Sequence, residues 1–395
     1  SVKDLYLFET KCPIKNLDVW GATKDYVDIR ILPAEAERFE AFLGKEKIDF
    51  FILILDVQTQ IDSQTKFTRK HLHMIELLGS NFSDPSYYDY GKYQPMENIY
   101  QWIDAMDKKY KYVTKEFVGK THENRDIYAL KFSKPSPNNQ KKDIIFFNAG
   151  IHAREWISPS SMMKVFYEIV ERSDSYEYEN QMTEKLDFYI VPVHNIDGYV
   201  YTWTTDRMWR KTRTLNDPKG ECYGTDPNRN WKTLDWTNPE GGSDDPCSNT
   251  YRGPEPYSEP CIKALHDYIT KIQANGQVIK ALLDIHNYAQ KVLYPYGYTK
   301  IPPANKKECD KVANETVNAI YNKFGTIFTF GSGSEALYYT TGTTKDYGYD
   351  IQKVGCSFTI ELRDTGRHGF LLPEEQILPV AEEMYDGYMK IVDNV

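Results

Sequence analysis

The sequence predicts an α/β fold: a mixed central sheet with helices on both faces, preceded by a smaller α/β unit. Three observations predict it. From about residue 82 onward, apolar runs of strand length alternate with long amphipathic helical stretches. Residues 1 to about 80 interleave shorter strands and helices, as a small α/β sandwich would. Between them, Ser80 to Tyr93 consists largely of Ser, Asn, Asp, Pro, Gly and Tyr, a boundary composition.

In the first unit, Lys24 to Leu32 alternates like a strand and Ala34 to Leu43 has helical spacing that stops at Gly44. Ile48 to Val57 reads as a second strand, and Phe67 to Leu78 as a helix stopping at Gly79. His71 and His73 lie beside Arg69 and Lys70 and read as a solvated face. In the second unit, helices are expected at Met96 to Tyr110, Pro159 to Arg172, Tyr257 to Ala274, Lys306 to Phe324 and Leu378 to Val392. Strands are expected at Val113 to Val118, Ile127 to Phe132, Ile144 to Phe147, Phe188 to Val193, Ala281 to Ile285 and Ser357 to Leu362. Gly331 to Tyr339 reads as a flexible loop.

At 395 residues the chain can bury one large core or two. A net charge of -9 argues against a general nucleic-acid binder. No apolar run approaches a membrane span; the longest, Ile48 to Val57, contains Asp49 and Asp56. The chain opens at Ser1 without a signal-peptide pattern, so the expectation is that its natural start has been removed. The six cysteines form no C-x-x-C pattern, and the sequons at Asn81 and Asn314 are compatible with secretion. A soluble, monomeric protein is expected.

The chemistry concentrates where apolar strands end. The run 143–150 leads through Gly150 into Ile151-His152-Ala153-Arg154-Glu155-Trp156. A His and a Glu three apart at a strand mouth can face one point, and imidazole and carboxylate both suit zinc. A third ligand must come from elsewhere, and His286 ends a second apolar strand. Carboxyl ends of strands are where sites form in such sheets. Glu361 ends a third, Cys356 to Ile360, with Arg363 and Asp364 nearby. Read alone, it is equally a general base or a partner of Arg363.

Three motifs occur in order: His152-Ala153-Arg154-Glu155-Trp156-Ile157-Ser158, Asp226-Pro227-Asn228-Arg229-Asn230-Trp231, and Ile360-Glu361-Leu362-Arg363-Asp364-Thr365-Gly366. With them the chain resembles zinc metallocarboxypeptidases of the pancreatic A/B type, in zymogen form, over nearly its whole length. The resemblance implies a ferredoxin-like pro-segment at 1–81, with a connecting helix cut by a trypsin-like protease, and a catalytic domain at 82–395. Arg69, Lys70 and Lys92 are the nearest basic sites for that cut. It implies a secreted, extracellular enzyme holding one Zn²⁺ through His152, Glu155 and His286, with Asp226 fixing a ligand histidine. Glu361 is implied as the base and Arg210 as the oxyanion stabiliser.

Asn228 and Arg229 are implied as the clamp on a free C-terminal carboxylate, and Tyr338, with Tyr339 as rival, as the residue that closes over substrate. Arg154, Asn287 and Tyr288 are implied to line the neighbouring substrate sites; Asn287 stands where the best-known members have serine. Cys222 and Cys247, which bracket a loop-like stretch, are implied as a disulfide, while Cys12, Cys261, Cys309 and Cys356 are left unassigned. The partners implied are peptide C-termini, the activating protease and proteinaceous carboxypeptidase inhibitors.

Lys345 falls where the family places the residue at the bottom of the side-chain pocket. A lysine there implies attraction for a C-terminal Glu and rejection of basic ends. The register turns on one residue of spacing to Glu361, so Asp346 is the rival occupant, which would make the pocket B-like. Lys345 turned to solvent would leave an A-like pocket for apolar ends. Two other functions stay open on the sequence: a zinc amidase or deacylase, and a catalytically inactive binding protein of this fold.

Overall fold

Residues 143–149 carry no charge after Asp143, and in the structure they form a strand buried on both faces. The computed structural model describes residues 8, 11–15, 17–23, 26–65, 83–137 and 140–395. The main sheet has eight strands: β3 (Val113–Lys120), β4 (Asp126–Phe132), β5 (Asp143–Ala149), β6 (Leu186–Val191), β7 (Ile279–Asn287), β8 (Lys291–Tyr294), β9 (Thr329–Ser332) and β10 (Cys356–Leu362). Their spatial order is β3-β4-β6-β5-β7-β10-β8-β9. β6, β5, β7 and β10 run parallel, while β4 on β6 and β8 on β10 are antiparallel, so the sheet is mixed.

Helices cover both faces. Successive strand residues point to opposite sides. Phe146 meets Tyr268 of helix Pro260–Ala274, and the next residue, Phe147, meets Tyr388 of helix Ile377–Val392. With both faces covered, central strands are buried on both sides and read as continuous apolar runs rather than alternating ones.

The register of the central strands positions the site. Ala149 pairs with Ile285, and His286 pairs with Glu361. The segments after β5, at the end of β7 and at the end of β10 therefore open at one edge. Gly150 makes the turn out of β5 at φ +63°, and a Cβ there would lie 3.2 Å from the Val193 backbone. Its N–H donates to Ser158 Oγ, whose hydroxyl donates to the Ile285 carbonyl and ties the ends of β5 and β7 together.

The N-terminal unit departs from expectation in two places. Its sheet among the described residues is the antiparallel pair β1 (Asp18–Ala22) and β2 (Val27–Arg30): β2 lies within the strand expected at Lys24 to Leu32, and its partner β1 is unexpected. Ile48 to Val57 is not a strand: it is irregular, residues 57–65 are helical, and Phe51 and Leu55 are 79% and 88% exposed. The run has strand composition but, among the described residues, no strand paired with it, and composition alone does not supply a ladder. Helix Ala36–Glu46 packs Phe39, Phe42 and Leu43 against Phe8 and Ile14 as a small separate core. The helix expected at Phe67 to Leu78, and the boundary at residues 81 and 82, lie outside the described residues.

In the second unit, β8, β9 and helix Thr344–Asp350 were not foreseen, and Gly331 to Tyr339 contains the end of β9 and a helical turn, Gly333–Ala336. Among the described residues no helix is long and apolar enough to cross a membrane.

Candidate metal centre and cleft

His152, Glu155 and His286 are each buried, and their ligand atoms all lie within 4.8 Å of one another. Geometry follows from local chain paths: His152 and Glu155 lie on the turn between Gly150 and helix Ile157–Arg172, and His286 is the penultimate residue of β7. The two Nδ1 atoms stand 3.1 Å apart, with Glu155 Oε1 2.8 Å from His152 Nδ1 and Oε2 3.0 Å from His286 Nδ1. Both imidazoles thus turn Nδ1 inward.

Their outward nitrogens meet carboxylates. His152 Nε2 lies 3.0 Å from Asp226 Oδ1, and His286 Nε2 lies 2.7 Å from Asp284 Oδ2. Asp226 was expected on the site from the sequence; Asp284 was not. Asp284 is fully buried and is itself held by Asn148, its cross-strand partner, whose Nδ2 donates to Oδ1 at 2.7 Å. The available signal was its place two residues before His286, on the same side of the strand.

The electrostatics favour a cation. Glu155, Asp226, Asp284 and Glu361 converge on a site whose facing guanidinium groups are Arg210 and Arg229. Burial would lower the His286 imidazole, but Asp284 and Glu155 outweigh it and raise it well above the ordinary range. Burial would raise Glu155, but the His152 and His286 charges outweigh it and hold it low. Positive charge is thus drawn to the middle of the cluster. Two histidines and a carboxylate, with no fourth ligand group among the described residues, form a donor set that fits a zinc ion with an open position. Burial pushes the Glu361 carboxyl up to about 7; a cation at the three ligands would draw it back down.

A single cleft contains His152, Glu155, Arg210, Asn228, Arg229, His286, Asn287, Tyr338, Lys345 and Glu361. Arg210 places Nε and Nη2 on Asp226 Oδ2 at 3.2 and 2.8 Å. Asn228 and Arg229 lie on the short 3₁₀ turn capped by Asp226. Arg229 donates through Nη1 to the Asn228 carbonyl, and its buried Nε has no partner among the described residues. Tyr338 faces the cleft, whereas Tyr339 lies against Lys300. Arg210 belongs to the basic stretch Asp206 to Arg213, in which Arg207 and Arg213 are structural. Arg207 stacks on Trp156 and donates to the Arg154 and Phe370 carbonyls, and Arg213 stacks on Tyr201 and Trp209.

Lys345 is 4% exposed and lies on helix Thr344–Asp350 with its ammonium at the cleft. Nζ donates to Thr343 Oγ1 at 3.1 Å and stands 3.8 Å from Asp346 Oδ2. Asp346 is turned away: both its oxygens accept the Gly297 N–H, at 3.0 and 3.1 Å. Burial lowers the Lys345 amine from its ordinary value, with Asp346 opposing.

The N-terminal unit sits on the cleft. Trp20, Gly21, Ala22, Thr23 and Tyr26 form part of its wall. Asp18 accepts from Arg154 Nη1 at 2.8 Å and from Asn249 at 3.0 Å. Asp28 accepts from the Tyr288 hydroxyl at 2.8 Å, and Trp20 meets Phe370 edge-on. Asn287 donates to the Gly369 carbonyl. Cys222 and Cys247 form a disulfide; Cys12, Cys261, Cys309 and Cys356 are free.

Residues 99–387 match the family model described as zinc carboxypeptidase, and residues 7–64 match that described as carboxypeptidase activation peptide. Carboxypeptidase O of Bos taurus is 39% identical over 347 residues, covering 88% of this chain and 90% of its own. Carboxypeptidase B of Rattus norvegicus is 39% identical over 379 residues, covering 93% and 85%. The crystal structure of thrombin activatable fibrinolysis inhibitor superposes over 100% of this chain and 95% of its own, with a TM-score of 0.85 and 34% identity.

Proposed function

This chain belongs to the zinc carboxypeptidases as a pro-form with its activation peptide, and we propose that the enzyme it yields releases acidic residues, Glu above all, from peptide C-termini. One observation carries the acidic preference. The Lys345 ammonium is buried at the cleft with a single hydroxyl accepting from it, while Asp346 is committed to the Gly297 backbone. A buried cation so placed attracts a carboxylate and repels a basic end.

In this reading His152, Glu155 and His286 hold one zinc ion, which supplies Lewis acidity and a nucleophilic water when bound. Arg229, with its partnerless Nε, and Asn228 anchor the substrate's terminal carboxylate. Only a chain end carries that charge, which restricts cleavage to the last peptide bond. Glu361 takes the proton from the attacking water and passes it to the leaving amine. Arg210, whose Nη1 stands 3.2 Å from His152 Nδ1, donates to the developing oxyanion. Tyr338 closes over the terminus, and Arg154, Asn287 and Tyr288 line the sites for preceding residues.

Asp226 and Asp284 hold the two histidines with Nδ1 facing Glu155 and each other, the orientation in which they would hold the zinc ion. Asp284→Asn should retain the fold and lower zinc affinity on the order of ten- to a hundredfold. Competition with a chromophoric chelator measures this; unchanged zinc retention would remove the role.

Residues 1–81 are proposed as the inhibitory pro-segment and 82–395 as the enzyme. Asp18 on Arg154 and Asp28 on Tyr288 occupy groups that substrate would need. Breaking one buried charge pair costs about 2 kcal/mol or more, so Asp18→Asn should raise the basal activity of the uncut chain at least about tenfold. Equal basal rates for the two proteins would count against Asp18 as a plug. A trypsin-like protease is the proposed activator, proteinaceous carboxypeptidase inhibitors are proposed to fill the same cleft, and the active form is proposed to be a monomer. The Cys222–Cys247 disulfide supports secretion to an extracellular space.

The test is residue release by the trypsin-treated protein from matched peptides ending in Glu, Phe or Lys, with and without a chelator. Chelator-sensitive release with Glu preferred is expected. Preference for Phe or Lys would overturn the acidic pocket and keep the carboxypeptidase; no release from any would point to a binding protein.

A further inference from the structure

The pocket around Lys345 contains a hydroxyl with nothing to bond. Thr340 is 9% exposed, lines the cleft, and its Oγ1 is buried without a hydrogen-bond partner among the described residues. Its backbone is fixed, because its N–H donates to the Gly297 carbonyl at 2.9 Å. We propose that Thr340 is a second specificity-determining residue, whose hydroxyl donates to the side-chain carboxylate of a C-terminal Glu beside the Lys345 ammonium. This rests on the reading of Lys345 as the cation of the pocket.

The geometry comes from two glycines. A Cβ on Gly297 would lie 2.1 Å from Thr340 Oγ1 and 2.8 Å from Lys345 Nζ. Both polar heads therefore face one gap and stand at most about 5 Å apart, a span that a carboxylate accepting at about 2.8 Å bridges. A Cβ on Gly333 would lie 2.6 Å from Lys345 Cε, so the second glycine keeps open the channel in which the lysine lies.

Hydrogen counting and placement together favour Thr340: the Thr341 hydroxyl is also unpartnered among the described residues but does not line the cleft. Thr343 accepts from Lys345 and gives its own hydroxyl hydrogen to Asp346, so it has none left to donate. The ammonium has three hydrogens and spends one on Thr343; Asp346 Oδ2, at 3.8 Å, is beyond hydrogen-bond reach. Thr340 Oγ1 carries one unspent donor next to unspent donors of Lys345. A carboxylate accepts from both; an apolar side chain leaves both unpaired, which sharpens discrimination beyond the lysine's charge.

The test compares kcat/KM for matched peptides ending in Glu and in Met, using the full chain activated with trypsin. Hydrogen bonds to charged groups set the expected size: Thr340→Val lowers the Glu:Met ratio about tenfold or more, and Thr340→Ser restores it. Thr340→Ala serves where valine's second methyl disturbs folding, with the same expected fall. A ratio unchanged in Thr340→Val and Thr340→Ala, including equal losses on both peptides, overturns the inference. Lys345→Met, measured alongside, separates the two ideas. If it abolishes the Glu preference while the Thr340 variants do not, Lys345 stands and Thr340 falls. If Lys345→Met keeps the preference, the underlying reading fails as well.

Discussion

Glu361→Gln should leave the zinc bound and reduce kcat on the order of a hundred- to ten-thousandfold. The amide keeps the size and polarity of the carboxylate but cannot take a proton. Glu361 does not complete the ligand cluster of His152, Glu155 and His286, so the metal centre should survive. Its place follows from the sheet: it pairs in register with His286 on the neighbouring parallel strand, so the two residues leave the sheet side by side. The rival role seen from sequence, an ion pair with Arg363, is not made. Arg363 pairs with Glu383 and donates to Thr326 and Gln376 instead. Zinc content and single-turnover hydrolysis measured on one preparation check the prediction. A variant with normal zinc and normal turnover would end the general-base role. Equal loss of zinc and activity would show a structural effect.

The parts legible in the sequence were those written as uninterrupted runs. β5, β7 and β10 are largely buried, so each is a mostly apolar block whose end can be read; β7 and β10 carry His286 and Glu361 as their penultimate residues, and β5 leads through Gly150 to His152. Ile48 to Val57 has the same texture and misled, because pairing depends on a partner edge that composition does not reveal. The hairpin arm Asp18–Ala22 is five residues with no clear alternation, yet it carries the carboxylate that sits on Arg154. Asp284 was hidden inside the apolar block, and its role emerges only once His286 is seen to turn Nε2 towards it. Thr340 lies among threonines that differ in whether they reach the cleft and whether the hydroxyl is already committed: Thr343 reaches it but is bonded, and Thr341 is unbonded among the described residues but does not line it. None of that is visible without coordinates.

Lys345→Met should cut the kcat/KM ratio for Glu-ended over Phe-ended peptides on the order of a hundredfold or more, since truncating one partner of a desolvated charge pair costs about 2–5 kcal/mol. The same ratio in the unsubstituted enzyme carries a pH signature. Burial lowers the Lys345 amine from its ordinary value. The Glu:Phe ratio should therefore hold while the ammonium is charged and fall as pH rises through a midpoint below 10.5, the amine's unperturbed value. In Lys345→Met the ratio should be low and flat over that range, and a limb persisting there would assign the titration to another group. Stability should move the other way. A lysine with a depressed folded-state pKa binds fewer protons folded than unfolded between its two pKa values, so stability rises with pH in that window and charged Lys345 burdens the fold below it. Thermal unfolding near neutral pH should show Lys345→Met at least as stable as the unsubstituted protein. A buried charge that weakens the fold and sets the ratio is kept for the ligand it receives; a marked fall in Tm with the ratio unchanged would instead make Lys345 a packing residue.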